Sequence, residues 1–481
     1  MTQRLTPLDT AFLRAEDADQ HTRLGIGGLA ILDGPPPDHQ LLLSTLGERI
    51  SICPRFAQRL RRQVLDLSAP EWVDDDKFDL ANHVCRVAVP APGTDEELFR
   101  VVADVMSWRL DRNRPLWEIW IIDGLADNRW AMLMKVHPCL ADAVATVHIL
   151  TGLSDDAASA MSEAAAVDRC VSHHPAGRAL TRPDAVPAVS AAPQIAGWAE
   201  VLRDSVRFAT DAVDAARQAL RGSRELAAGL LRPVSALNGP VTSRRRYSAA
   251  RVALADVRKI CRTFDVTVDD VALAALAESY RNMLLRRGEQ PHADSLRALV
   301  PVAMRGRGAG QPSETRQAAL LPRLPVHEDN PVLRLRMVHA RMAGMKAAAC
   351  EQPGNTVASA ANRLPFPLAA VAMDLLSRLP QRNVATLAVN VPGPRQPLRI
   401  LGCDVVQVLP IPPIGMQLRT AAAVMSYADE LFFGIVADFS AVPDADELAR
   451  GVETAVARLL VRARRRRVGR DRHGLRLVVN T

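Results

Sequence analysis

Residues 136–143 read Val136-His137-Pro138-Cys139-Leu140-Ala141-Asp142-Ala143, and how this stretch folds decides how the rest of the chain is read. The apolar run from Trp130 to Val136 has the length and composition of a buried strand, and it delivers His137 at its end. Pro138 then takes the chain out of regular structure, because its ring fixes φ and it has no N–H to give to a ladder. Asp142 is a capping residue type in front of an Ala/Val-rich segment, so a helix is predicted from there. Strand, turn and helix thus hold an imidazole and a carboxylate close together. The residue that follows the imidazole has no titratable group.

At 481 residues the chain exceeds one ordinary core, and two domains are expected. Its 48% apolar and 23% charged residues are those of a soluble globular protein. No run approaches the ~18 apolar residues that a membrane span needs. Residues 1–19 carry Asp9, Glu16, Asp17 and Asp19 without an apolar stretch, so a cytoplasmic location is expected rather than secretion. Seven cysteines, with no C-x-x-C pair, fit a reducing compartment and argue against a metal site.

The net charge of +7 is carried almost wholly by arginine. Arg462, Arg464 to Arg467, Arg470 and Arg472 crowd the end of the chain. One reading is a solvated tail. The other is peripheral attachment to anionic headgroups, on a membrane or a lipid droplet, at ~1 kcal/mol per basic residue. The segment has no aromatic residues to stack on bases, so nucleic acid is not an expected partner.

The hydrophobic patterning gives two units of mixed strands and helices. In the first, 1–153, strands are predicted over Leu24–Leu32, Leu116–Ile122 and Trp130–Val136, and helices over Leu41–Ile50 and Glu96–Arg109. Residues 154–240 are an Ala/Pro-rich linker to about 195 and then an amphipathic helix, Ile195 to Leu231. The second unit, 241–461, has predicted strands over Arg251–Leu254, Leu296–Val302, Val384–Val391, Gln417–Ser426 and Leu431–Asp438. Its helices are Ala255–Thr263, Val268–Arg286 and Ala445 to about Arg467, and 462–481 form the Arg-rich tail. The fold class is α/β with mixed sheets.

Blocks of residues along the chain carry a resemblance. They are Thr6-Pro7-Leu8-Asp9, Trp72-Val73-Asp74-Asp75 with Phe78-Asp79-Leu80, and Leu110-Asp111-Arg112 with Arg114-Pro115-Leu116-Trp117-Glu118. Further on come Leu237-Asn238-Gly239-Pro240, Pro301-Val302-Ala303-Met304-Arg305, Asn390-Val391-Pro392-Gly393-Pro394 and Ser426-Tyr427. In this order and spacing the chain resembles the bacterial wax ester synthase/diacylglycerol acyltransferase family, the actinobacterial triacylglycerol synthases in particular. The resemblance implies two chloramphenicol-acetyltransferase-like domains joined by a long linker, with an HHxxxDG motif at their interface. It also implies acyl-CoA as a substrate, no resident cofactor, and diacylglycerol or a long-chain alcohol as acceptor.

His137 and Asp142 stand at the motif's first His and its Asp. Pro138 replaces the second His, which in the family takes the proton from the acceptor hydroxyl, and Ala143 replaces the Gly. Asp269-Asp270-Val271 stands for an Asn-Asp-Val block, and Ala303 for the Ser of a P-V-S-x-R block. The resemblance makes Asp142 a structural carboxylate, for which Arg305 is the candidate partner, and places Asn390 and Gly393 among the substrate-binding residues. His137 sits in an extended segment beside Pro138, so a structural role is expected for it and a role as working base is the alternative. Cys139 has no evident base in sequence and reads as a small buried thiol. His173-His174, in the linker, and the glycine-rich 305–310 carry no expected chemistry. Two functions follow: an O-acyltransferase of weak activity, or a silent homologue that binds acyl-CoA or lipid.

Overall fold

The apolar run before the motif forms a strand, β6 (Arg129–Val136), in which every residue from Trp130 to Val136 is buried. It lies between β1 (Ile26–Asp33) and β5 (Trp117–Leu125), antiparallel to both. The computed structural model describes residues 4–50, 53–62, 69–155, 237–305, 315–351, 384–391, 393–394, 396–415 and 417–474. The expected linker and its helix therefore lie outside the described residues except at their ends, as do His173, His174 and the glycine run after Arg305.

Before β6, the chain runs through α1 (Pro7–Ala18), β1, α2 (His39–Ile50), β2 (Gln58–Arg61), β3 (Glu71–Asp74), β4 (Val84–Ala88), α3 (Asp95–Ser107) and β5. After it come α4 (Ala143–Gly152), β7 (Arg245–Ala253), α5 (Leu254–Phe264), α6 (Val268–Arg286), β8 (Arg297–Arg305), β9 (Thr315–Leu320) and α7 (Pro331–Glu351). The last elements are β10 (Val384–Val391), β11 (Arg399–Ile400), β12 (Cys403–Ile411), β13 (Thr420–Tyr427), β14 (Glu430–Asp438) and α8 (Ala445–Gly474).

These strands make two six-stranded mixed sheets, ordered β11-β12-β1-β6-β5-β4 and β7-β14-β13-β10-β8-β9, and a β2-β3 ribbon. Helix α3 lies mainly against β7 of the second sheet, where Phe99 packs edge-on against Tyr247, and touches β5 of the first. In the second unit α6 packs on α8, and the buried side of α8, Val452, Ala455, Val456, Leu459 and Ala463, closes a second core. The first core reaches across both sheets, since Tyr247, Met425 and Phe432 belong to it.

Residues 399–411 of the C-terminal unit reach across to extend the first sheet: β12 pairs antiparallel with β1, Leu29 facing Leu409. The strand crosses so close to β14 that a Cβ on Gly434 would lie 1.7 Å from the Pro410 carbonyl oxygen. The Arg-rich end is helical as far as Gly474. It continues α8, and Ala463 within it is fully buried.

Candidate active site

Val136 ends β6, and the backbone N–H of His137 still donates to the Leu116 carbonyl at 3.0 Å. Leu116 belongs to the Arg114–Glu118 block, which thus forms the bed of the motif. The next residue, Trp117, is fixed by its indole N–H on the Phe56 carbonyl at 2.9 Å and by a face-to-face stack on His83, centroids 4.5 Å apart. Past Pro138 the chain turns tightly: the His137 carbonyl accepts from Leu140 N–H at 2.9 Å and from Ala141 N–H at 3.3 Å. Asp142 then caps α4, its carboxylate accepting from Ala145 N–H at 2.7 Å. Helix α4 packs on β1 and β6 of the first sheet and touches β10 of the second. The motif turn therefore stands where the two sheets meet.

His137 is 2% exposed and has polar groups at both ring nitrogens. Nδ1 lies 2.8 Å from Cys139 Sγ and accepts from the Cys139 backbone N–H at 3.2 Å. Nε2 faces Glu16 Oε2 at 3.5 Å, the outer edge of hydrogen-bond reach. Glu16 comes from α1 and also accepts from Leu24 N–H at 2.7 Å and from Arg112 Nη2 at 2.6 Å. Burial alone raises the Glu16 carboxyl, but His137, Arg112 and the Leu24 N–H outweigh it and bring it to about 2. Burial pushes His137 down, against the pull of Glu16. Burial also pushes the Cys139 thiol well above its ordinary range.

A base for the acceptor hydroxyl must come within about 2.6–3.2 Å of it. Pro138 offers none, and His137 is turned toward α1. Lys135, two residues earlier, is 1% exposed and donates to the Val105 and Trp108 carbonyls at 2.8 Å each, so it ties α3 to β6. His83 gives Nδ1 to the Trp117 carbonyl at 2.8 Å.

The remaining expected residues stand as follows. Gly393 packs directly on β13: a Cβ there would lie 2.0 Å from the Ser426 carbonyl oxygen, and its N–H points to Ser426 Oγ at 3.4 Å. That close approach already demands glycine, whatever the residue does for substrate. Asn390 sits on β10 opposite Val424, and Arg305 ends β8 opposite Thr315. The side chains of both lie outside the described residues. Asp269-Asp270-Val271 opens α6, where Asp270 accepts from Thr267 N–H at 2.9 Å and pairs with His339 Nδ1 at 2.8 Å. The departure at Asp269 leaves this cap intact.

Residues 5–272 match the model of the wax ester synthase/diacylglycerol acyltransferase catalytic domain, and residues 316–459 match that of the WS/DGAT C-terminal domain. The chain belongs to the wax ester synthase/diacylglycerol acyltransferase family. It is 50% identical over 476 residues to the Mycobacterium tuberculosis protein named "probable diacyglycerol O-acyltransferase tgs1", covering 99% of each chain. Among solved structures it is similar to the wax ester synthase/diacylglycerol acyltransferase from Marinobacter aquaeolei, with 26% identity, a TM-score of 0.66, and 96% and 99% of the two chains covered. Polyketide synthase associated protein 5 from Mycobacterium tuberculosis, 13% identical, shares the fold at a TM-score of 0.55 over 95% and 98% of the two chains. The two-domain chloramphenicol-acetyltransferase-like fold implied by the resemblance is the fold of this chain.

Within this family frame, the sequence pointed to His137 and Asp142 and missed Glu16, which faces His137 Nε2 at 3.5 Å, and Arg112, which holds Glu16. Their signal was present but scattered, since Glu16 and Arg112 lie 96 residues apart. Cys139, read as a small buried thiol, is buried, and the turn folds its Sγ to 2.8 Å from His137 Nδ1.

Proposed function

We propose that this family member is an O-acyltransferase that moves a long-chain acyl group from acyl-CoA to diacylglycerol or a long-chain alcohol, and that it turns over slowly. One observation carries the reading: the motif turn is fully built at the meeting of the two sheets, while position 138 has no proton acceptor. Loss of a general base costs ~10²–10⁴ in rate, but the positioning of two substrates survives it. Acyl-CoA enters as a substrate, and the reaction so written needs no resident cofactor. The test is radiolabelled acyl-CoA given to the purified chain with diacylglycerol or hexadecanol, products separated by thin-layer chromatography. Labelled triacylglycerol or wax ester above the enzyme-free control supports the reading. The same Pro138 favours a silent acyl-CoA-binding homologue, which would bind acyl-CoA and give no labelled ester.

The chain's place in the cell is part of the same proposal: cytoplasmic, and peripheral on an anionic lipid surface. No described helix is long and apolar enough to cross a membrane. Arg464, Arg465 and Arg466 are exposed on the last turns of α8, at ~1 kcal/mol each beside anionic headgroups. Replacing Arg464 and Arg465 by Glu should weaken binding to phosphatidylserine vesicles and leave turnover on detergent-dispersed substrate unchanged. Equal vesicle binding by both chains would remove the lipid-surface role.

A further inference from the structure

Three arginines in a row open β7, and only the middle one has a carboxylate partner. Arg245 is buried, donates to the His21 carbonyl at 2.8 Å and faces Asp438 at 3.9 Å. Asp438 is otherwise occupied by Thr242 Oγ1 at 2.8 Å and by the Ser440 and Ala441 N–H groups at 3.1 and 2.9 Å. Arg244 is exposed and Arg246 half-buried, as expected for neighbours that alternate with a buried residue along an extended chain. Each guanidinium stands 4.0 Å from the centroid of the half-buried Phe439 ring, and neither makes an ion pair among the described residues. Two guanidiniums on one ring lie within a screening length (~8 Å) of each other and repel. An anion beside them would offset that repulsion. The 21–23 loop leads from this patch to an exposed indole: Arg245 holds it at His21, and at its other end Arg23 Nε donates to the Ser107 carbonyl at 2.8 Å. Trp108, next in the chain, is 50% exposed, the one exposed Trp, Tyr or Phe side chain among the described residues. Its carbonyl accepts from Lys135 at 2.8 Å and its ring rests on Trp120, centroids 5.1 Å apart, so the indole is held outward on a fixed base. Arg109 beside it is exposed as well. Asp19, the acid of this loop, accepts from His21 N–H at 2.9 Å and Thr22 Oγ1 at 2.8 Å.

We propose that Arg244, Arg246 and Phe439, with Trp108 and Arg109 beside them, form a face that docks on an anionic lipid surface, the guanidiniums on headgroup phosphates and the indole at the interface. This rests on the lipid-surface reading and gives it a second contact, separate from the end of α8. Arg466 of α8 stands 5.5 Å from the ring of Phe264, and Phe264 ends α5, which leaves the far end of β7 from Arg244. A lipid surface fits this face better than a soluble polyanion does, because only the former gives the exposed indole an apolar boundary to enter. One residue past the loop, Leu24 N–H donates to Glu16, the carboxylate that faces His137. Docking here therefore brings a lipid-dissolved acceptor to the side of the molecule from which the 21–24 segment leads to the motif turn.

The experiment is co-sedimentation of the full chain with phosphatidylcholine vesicles, with and without phosphatidylserine, at low and at high salt. A basic residue near an anionic surface contributes about fivefold in binding, so Arg244→Gln combined with Arg246→Gln should bind phosphatidylserine vesicles at least about tenfold more weakly at low salt. That gap should close at high salt, because the contacts are exposed and screened. Trp108→Ala should weaken binding at both salts, since burial of an indole is not screened. Brominated lipid should quench the tryptophan emission of wild type, and Trp108→Phe should lose most of that quenching. Every variant is first checked for the wild-type melting temperature. Equal vesicle binding by wild type and the arginine pair variant, with binding lost on Arg464→Glu and Arg465→Glu, would overturn this face while the lipid-surface reading stands. Heparin binding lost by the pair variant with vesicle binding intact would overturn it in favour of a soluble polyanion. Trp108→Ala equal to wild type would strike the tryptophan from the face. A wild type that does not bind phosphatidylserine vesicles would overturn both readings.

Discussion

Glu16→Gln should destabilise the N-terminal unit by about 3 kcal/mol at neutral pH. The Glu16 carboxyl moves from an ordinary 4.5 to about 2. At ~1.4 kcal/mol per pH unit, that favours its charged form by ~3 kcal/mol in the folded chain. A second route gives a similar figure: removing one partner of a buried pair costs ~3–5 kcal/mol, less where the other partner is partly solvated. Arg112 keeps 25% of its side chain exposed, which places the expectation at the low end. The sign with pH follows from a lowered carboxyl. The stabilisation is complete above about 4.5 and is lost as pH falls toward 2, with ~2 kcal/mol gone by pH 3. Urea unfolding followed by tryptophan emission reads this directly, because Trp117, which faces Val136 next to His137, is fully buried. The gap between the two chains should be about 3 kcal/mol at pH 7 and shrink toward 1 at pH 3. Equal midpoints at pH 7, or a gap that does not change with pH, would show that Glu16 does not hold the motif as described.

Two further outcomes are expected. Gly434→Ala should cost at least ~1–3 kcal/mol in urea unfolding, since its Cβ would sit 1.7 Å from the Pro410 carbonyl where β12 crosses β14, and a neutral result would place that crossing wrongly. Asp142→Asn keeps a side-chain oxygen for Ala145 N–H and so isolates the carboxylate's charge from its cap. Combined with Arg305→Met in a double-mutant cycle, it should destabilise less than the two single changes summed, whereas strict additivity would sever the proposed tie.

Local pattern made much of this fold legible. The run Trp130–Val136 is a strand because every side chain on it is buried, and α6 spans Val268–Arg286 as expected because Thr267 and Asp270 make a capping box. Helix α1 was missed although Thr6, Pro7 and Asp9 spell a capping box with Pro in the first turn. Helix α7 was missed likewise, although Asn330, whose side chain accepts from Val332 N–H at 3.0 Å, and Pro331 mark its start. The placement of β12 in the first sheet was not legible at all, because alternation marks a strand and not its neighbour. The site divides the same way. The order His, Pro, Asp was plain in the sequence, while the carboxylate facing the ring, Glu16 with its partner Arg112, is brought there only by the packing of α1 and the 109–114 segment.

The central claim is that this chain keeps an acyltransferase site and is slow because Pro138 stands where a base belongs. The most direct measurement is the rate of triacylglycerol formation from palmitoyl-CoA and diacylglycerol by wild type beside Pro138→His, each checked for the same melting temperature. The account predicts measurable ester from wild type and at least about a tenfold gain from Pro138→His, within the ~10²–10⁴ that a general base supplies. No ester from wild type and no gain in a variant that folds alike would contradict it, and the site would then have lost more than one residue's chemistry.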